Sequence, residues 1–175
     1  MRKILTAAGL ASSAVALGVL MASPAAAWTA NSQFDVVFPG QKPKTTYIVE
    51  NNGAHAPNGA GMTGKSTVYW QLAVDNVVDG STRFTSFKIT TRIEERLTKD
   101  GEDHVVTKKT CDMTAMVNDH YAWNFDTAGN TCVAPSTTYD GELYWSSDAT
   151  VVYDIAGDDK GAITQELQGT ALIHG

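Results

Sequence analysis

The ten residues Ser66-Thr67-Val68-Tyr69-Trp70-Gln71-Leu72-Ala73-Val74-Asp75 decide the fold class. Side chains alternate along this stretch, so that one face carries Val68, Trp70, Leu72 and Val74 and the other carries Tyr69, Gln71, Ala73 and Asp75. A period of two residues is typical of a β-strand that is buried on one face. We therefore interpret the stretch as a strand with its more apolar face against a hydrophobic core.

The same alternation recurs downstream and predicts a β-hairpin. In the next long run, one face carries Phe87, Ile89, Thr91 and Ile93. A turn signal follows at Lys99-Asp100-Gly101-Glu102, and residues 104–109 are predicted to return antiparallel to the preceding strand.

Short β-prone runs separated by turn signals predict an all-β fold. These runs lie at residues 34–38, 45–50, 142–146, 149–155 and 162–173. We expect an antiparallel β-sandwich, jelly-roll or Ig-like, with about eight strands. Helical spacing occurs only near residues 112–118, where Asp112 is a candidate cap, so at most one short helix is predicted. Residues 51–65 and 119–131 resist assignment to strands and are interpreted as loops.

Residues 1–27 have the parts of a secretory signal peptide. A basic Arg2-Lys3 start precedes an uncharged apolar run, and Ala25-Ala26-Ala27 supplies the small residues of a cleavage site. The apolar run is short for a membrane span. We expect cleavage before Trp28, one β-sandwich domain over residues 28–175, and a secreted or envelope-associated protein. In composition alone, the chain resembles small exported bacterial proteins.

Net charge and cysteine content indicate which classes of partner and which compartment suit the chain. Without the leader, the chain has 11 Lys and Arg against 19 Asp and Glu, a net charge of −8. This balance argues against nucleic acid and anionic membranes, because both need a basic face. Cys111 and Cys132 are the only cysteines, and an oxidising compartment predicts one disulfide between them.

One stretch matches the phosphate-binding pattern G-x-x-x-x-G-K-[ST]: Gly59-Ala60-Gly61-Met62-Thr63-Gly64-Lys65-Ser66. That chemistry needs a strand before the loop and a helix after it. Here a strand pattern follows the motif, and an exported protein meets little nucleotide. We therefore interpret the match at Gly59, Gly64, Lys65 and Ser66 as coincidental and expect no nucleotide site.

Catalytic motifs do not stand out. The four histidines share no close ligand spacing, and G-x-S-x-G is absent. Glu94 and Glu95 point to opposite faces of a regular strand, and the remaining candidate carboxylates meet only through tertiary structure: Glu142, Asp148, Asp154 and Glu166. We expect no catalytic residue, no metal site and no cofactor.

Aromatic residues near the predicted disulfide are the candidate binding residues. Tyr121 and Trp123 alternate inside the disulfide loop, His120 precedes them next to a carboxylate, and Trp145 follows the loop. Tyr and Trp offer a large contact area at a low entropy cost and can stack on a sugar or anchor a protein. The alternative is that these rings fill the sandwich core.

These patterns favour a secreted, non-enzymatic β-sandwich whose loops bind an extracellular protein or glycan. Two alternatives stay open. One is a small secreted hydrolase that uses carboxylates, with or without His120; the other is a secreted protease inhibitor that presents the disulfide loop as a rigid pseudo-substrate. The sequence sets no expectation for the oligomeric state.

Overall fold

The computed structural model describes residues 27–40, 42–56, 61–73, 81–119, 123–124 and 129–175. Within these ranges the chain forms nine strands and one short helix. In chain order they are β1 (Ala27–Val36), β2 (Thr45–His55), β3 (Met62–Leu72), β4 (Phe84–Arg96), β5 (His104–Asp112), α1 (Thr114–Asp119), β6 (Trp123–Asn124), β7 (Thr131–Val133), β8 (Tyr144–Ile155) and β9 (Ile163–Glu166).

The strands form two antiparallel sheets that pack face to face. Sheet A has the order β1-β2-β3, and the next position is shared by the short strands β6 and β7, which both pair with β3. Sheet B has the order β5-β4-β8-β9. Side chains from both sheets share one hydrophobic cluster. The predicted all-β antiparallel sandwich is thereby confirmed.

Several sequence predictions are confirmed within this architecture. The β4–β5 hairpin closes through the predicted turn, with Lys88 paired to Asp112 at its open end. The single helix lies where it was expected, and Asp112 Oδ1 accepts a hydrogen bond from Thr114 N at 3.0 Å just before it. The faces of β4 are as predicted, because Phe87, Ile89, Thr91 and Ile93 are all fully buried.

The prediction of a long loop over residues 51–65 is wrong for most of its length. β2 continues to His55, and β3 begins at Met62. The glycines that suggested a loop, Gly53 and Gly64, are instead paired with each other inside the two strands. Their lack of a side chain is needed there, because a Cβ on Gly64 would lie 2.8 Å from Ser147 Oγ and 2.9 Å from Ile93 Cγ1.

Two further boundaries differ from the sequence prediction. The runs at 142–146 and 149–155 are parts of one strand, β8, which continues through Ser147 and Asp148. Those two polar residues resemble a break, yet Ser147 faces the interior between the sheets and Asp148 pairs with the half-buried Arg92. The predicted loop at 119–131 contains β6 and the first residue of β7.

The core has two hydrophobic clusters. The larger is rich in aromatic rings, with Tyr47 at 5.4–6.1 Å from the rings of Phe34, Trp70, Phe84 and Phe87. The smaller contains Met62, Ile93, Ala134, Trp145 and Ile173, and Trp28 packs against it. Ring pairs at these separations stabilise the core beyond the burial of their apolar area.

Buried polar residues lie at the level of the close approach between the sheets. Thr91 Oγ1 is 2.8 Å from Ser66 Oγ, and both residues are fully buried. Asn51 Nδ2 donates to Gln168 O at 2.8 Å, and Ser147 N donates to Thr170 Oγ1 at 3.0 Å. We call Asn51, Ser66, Thr91 and Ser147 the polar seam. These hydrogen bonds satisfy part of its polar groups, whereas Asn51 Oδ1 and Ser147 Oγ have no hydrogen-bond partner among the described residues.

The predicted disulfide is confirmed and links the two sheets. Cys111 lies in β5 of sheet B and Cys132 in β7 of sheet A, with a Cα–Cα distance of 5.8 Å. The bridge therefore closes one edge of the sandwich. The opposite edge is joined by a hydrogen bond from Gln168 N to Ser32 Oγ at 2.7 Å.

The predicted leader, residues 1–27, lies outside the described residues except for Ala27, which begins β1. In the described part of the chain, no helix has the length and apolar character to cross a membrane.

Candidate functional site

The predicted aromatic platform is only partly within the described residues. His120 and Tyr121 lie outside them, so their role in binding stays a prediction. The backbone of Trp123 begins β6 and pairs with Gln71 at the end of β3. This pairing places the backbone of Trp123 and Asn124 beside β3 of sheet A.

Trp145 is a core residue. Its side chain is 2% exposed and lies in the smaller hydrophobic cluster, 6.1 Å from the ring of Tyr139. Its Nε1 donates a hydrogen bond to Asp140 O at 2.8 Å, so the polar end of the indole is also used. The ring therefore has no free face for a ligand, and the core alternative describes this residue.

The phosphate-loop match has the geometry of a strand from Met62 onward. Gly64 is paired with Gly53, Lys65 with Asn52 and Ser66 with Asn51, so these residues are extended. Ser66 is fully buried in the polar seam. Backbone N–H groups of a β-ladder do not converge on one point as those of a phosphate-binding loop do. Gly59 lies outside the described residues.

A shallow depression on the outer face of sheet A is a candidate for ligand binding within the described part of the chain. It has a volume of about 270 Å³ and crosses four strands. We call it the sheet A groove. Its lining residues are Ala27 from β1, Asn52 and Ala54 from β2, Thr63, Gly64 and Lys65 from β3, and Val133 from β7.

Small side chains explain why the groove exists at this place. Ala27 and Ala54 are register partners on the outer face, and Thr63 is the register partner of Ala54 in the next strand. The two alanines leave this face without bulk, while Lys65 and the half-exposed Val133 lie at the far side.

Polar groups in the groove are held in place by their neighbours. Thr29 Oγ1 donates to Asn52 Oδ1 at 3.0 Å, and Asn52 Nδ2 donates to Glu50 Oε1 at 2.7 Å. Thr63 Oγ1 donates to Ala54 O at 3.0 Å. The Asn52 amide still has one N–H and one acceptor position for a ligand. Within the described residues Lys65 has no salt-bridge partner, so its ammonium has three donors to offer.

Carboxylates meet on the outer face of sheet B around one arginine. Arg92 Nε donates to Glu94 Oε1 at 2.8 Å, and its Nη2 is 3.3 Å from Asp148 Oδ2 and 3.7 Å from Glu166 Oε2. Arg92 Nη1 also donates to Thr150 Oγ1, which donates to Glu166 Oε2 at 2.9 Å. We call Arg92, Glu94, Asp148 and Glu166 the Arg92 cluster.

Burial raises the pKa of two acids of the Arg92 cluster. Desolvation raises the pKa of Glu94 and of Asp148, although Arg92 acts in the opposite direction on both. Glu94 is 5% exposed, so its carboxylate costs more free energy to keep charged than a carboxylate in water does. These acids face Arg92 rather than the sheet A groove. We therefore assign the cluster a structural role in holding β4, β8 and β9 together.

The described residues contain no group of three or more His, Cys, Asp or Glu side chains arranged to hold a metal ion. No protein-family model matches the chain, and searches of curated proteins and of solved structures return no match.

Sequence reasoning missed the groove residues because residues 51–65 were interpreted as a loop. A signal was present, since the buried positions Asn51 and Gly53 continue the period of two that Tyr47 and Val49 begin. The same holds for Met62, Gly64 and Ser66 ahead of Val68. Glycine and polar residues at inward positions concealed a period that apolar residues would have shown.

Proposed function

We propose that this chain is an exported, non-enzymatic β-sandwich that binds a glycan in the sheet A groove. The groove carries the proposal: amide, hydroxyl and ammonium groups surround a floor of small apolar side chains. A sugar offers the matching surface, because its hydroxyl groups exchange hydrogen bonds and its C–H groups pack on apolar side chains. Groups already fixed by neighbours lose little entropy on binding.

The shape of the site also favours a glycan over a globular protein. The groove is open and small compared with a standard protein–protein interface. Its residues come from four adjacent strands, and sites on rigid strands hold their geometry better than sites on loops. The backbone of Trp123, one residue of the predicted aromatic platform, pairs with Gln71 at the far end of the same sheet.

A glycan array with the purified protein tests the proposal. We expect retention on a subset of glycans, and we expect Lys65→Ala to weaken it about tenfold or more, because a hydrogen bond from a charged donor is lost. Lys99→Ala is the matched control, since it removes the same charge from an exposed turn outside the groove. An array without retention, or equal retention by both variants and the wild type, would contradict the proposal.

Export is the second part of the proposal. It is supported by the signal-peptide pattern of residues 1–27 and by the disulfide between Cys111 and Cys132. Protein collected from outside the producing cells is expected to begin at Trp28 when its amino terminus is sequenced. This cleavage removes Ala27, so the groove of the mature chain is lined by the residues of β2, β3 and β7. Recovery of a chain that begins at Met1, or of protein only inside the cells, would argue against export.

A further inference from the structure

Strand β1 is a long edge of sheet A. It pairs with β2 through ten consecutive register partners, from Ala27–Ala54 to Val36–Thr45. Across the described residues, no backbone hydrogen bond joins its other side to any further strand. Such an edge presents a row of N–H and C=O groups on which another strand can pair.

The other sheet edges carry the features that usually prevent such pairing. Strand β5 has Lys108 and Lys109, and its register with β4 shifts at Ile93/Glu94. Strands β6, β7 and β9 have only two, three and four residues. Lysine, register irregularity and short length are the common protections of an edge.

Strand β1 has none of these protections. Its ten residues include no Lys, Arg or Pro, and its register with β2 is continuous. Its single charge, Asp35, already accepts a hydrogen bond from Lys44 Nζ at 2.8 Å. Unprotected edge strands of this length are rare in monomeric proteins, so we expect β1 to pair with another strand.

We propose that β1 pairs antiparallel with β1 of a second copy, around a two-fold axis at Ser32, so that the two A sheets become continuous. Paired residues in a sheet must share a face, so the axis passes through a residue rather than between two. An axis at Ser32 aligns nearly the whole length of both strands.

This register is self-complementary. On the outer face it sets Asn31 opposite Gln33 of the partner subunit, so that two amides exchange hydrogen bonds. It also sets the uncharged Thr29 opposite Asp35 of the partner subunit. No like charges meet. Both sheet A grooves then lie on the same side of one continuous sheet, although the pairing itself does not depend on glycan binding.

Sedimentation velocity of the purified protein over a wide concentration range tests the pairing. The wild type is expected to shift from monomer to dimer as concentration rises. Asn31→Lys combined with Gln33→Lys places lysines opposite each other across the axis, and we expect the dissociation constant to rise at least about tenfold. Both positions are exposed, so the monomer should fold as before.

Gln71→Lys is the control, because it adds a lysine to the outer face of sheet A, on β3 rather than β1, with one positive charge against the two of the double variant. It is expected to dimerise like the wild type. Hydrogen exchange should slow in the β1 amides as the dimer forms. A wild type that stays monomeric at all concentrations, or a double variant that dimerises as well as the wild type, would overturn the proposal.

Discussion

Gly64 sets the distance between the two sheets. A Cβ at this position would lie 2.8 Å from Ser147 Oγ and 2.9 Å from Ile93 Cγ1, closer than real Cβ atoms come. Gly53, its register partner, would meet Ser147 Cβ and Thr170 Oγ1 at 3.2 Å. A pair of glycines therefore lets β2 and β3 approach β8.

Gly64→Ala is expected to lower the free energy of unfolding by about 1–3 kcal/mol, the usual cost of overpacking a filled interior. Urea denaturation measures the change. Gly141→Ala is the control, because its Cβ would meet only ordinary contacts, the nearest at 3.6 Å. Equal stability of Gly64→Ala and the wild type would show that the sheets are not held this closely.

Glu94 links stability to pH through the Arg92 cluster. Burial raises its pKa in the folded protein, so the folded state binds this proton more tightly than the unfolded chain does. The group therefore contributes stability below its unfolded pKa of about 4.3 and loses that contribution as pH rises through the higher folded pKa. Asp148 behaves in the same direction.

The Glu94→Gln variant is expected to become more stable relative to the wild type as pH rises from about 4 toward neutrality. The reason is that the wild type then carries a buried negative charge that the variant lacks. Urea denaturation over this pH range gives the difference. Glu142→Gln, which changes an exposed carboxylate, is the control. Parallel stability curves for Glu94→Gln and the wild type would contradict the assignment.

At the scale of elements, the disulfide joins β5 of sheet B covalently to β7 of sheet A. It closes a loop whose ends are 21 positions apart. Reduction is expected to lower the free energy of unfolding by about 3 kcal/mol in the chain-entropy model. Urea denaturation with and without a reductant measures this, and the reduced protein should also show a larger m-value because its unfolded chain is less constrained. An unchanged midpoint would mean that the bridge constrains little.

The sequence predicts most strands from apolar alternation, and it fails where another requirement replaces apolar residues. Residues Phe87 to Ile93 alternate clearly because they face the core along their whole length. Near Gly53 and Gly64 the inward positions hold small or polar residues, since the sheets approach closely there. In β8, Ser147 belongs to the polar seam and Asp148 to the Arg92 cluster, so one strand resembled two.

The candidate site was harder to predict for a related reason. The groove depends on which strands are neighbours, and Ala27, Asn52, Lys65 and Val133 are distant in sequence. The acids Asp148 and Glu166 likewise meet at Arg92 only because β4, β8 and β9 are paired. Trp145 shows a different difficulty: residue type alone does not distinguish an aromatic residue that binds a ligand from one that fills the core.

For the whole molecule, the two outer faces of the sandwich differ. Sheet B carries the Arg92 cluster, in which carboxylates and the guanidinium satisfy one another. Sheet A carries a groove whose Asn52 and Lys65 keep donors available to a ligand. We therefore propose that ligand recognition belongs to sheet A and structural support to sheet B.

The most direct test of this placement is a titration of the isotope-labelled protein with the glycan that the array retains best, followed in the ¹H–¹⁵N NMR spectrum. We expect saturable shifts that centre on Asn52, Thr63, Lys65 and Val133, with the residues of sheet B unaffected. Shifts centred on the Arg92 cluster, shifts confined to residues 120–128, or no saturable shift at all would contradict it.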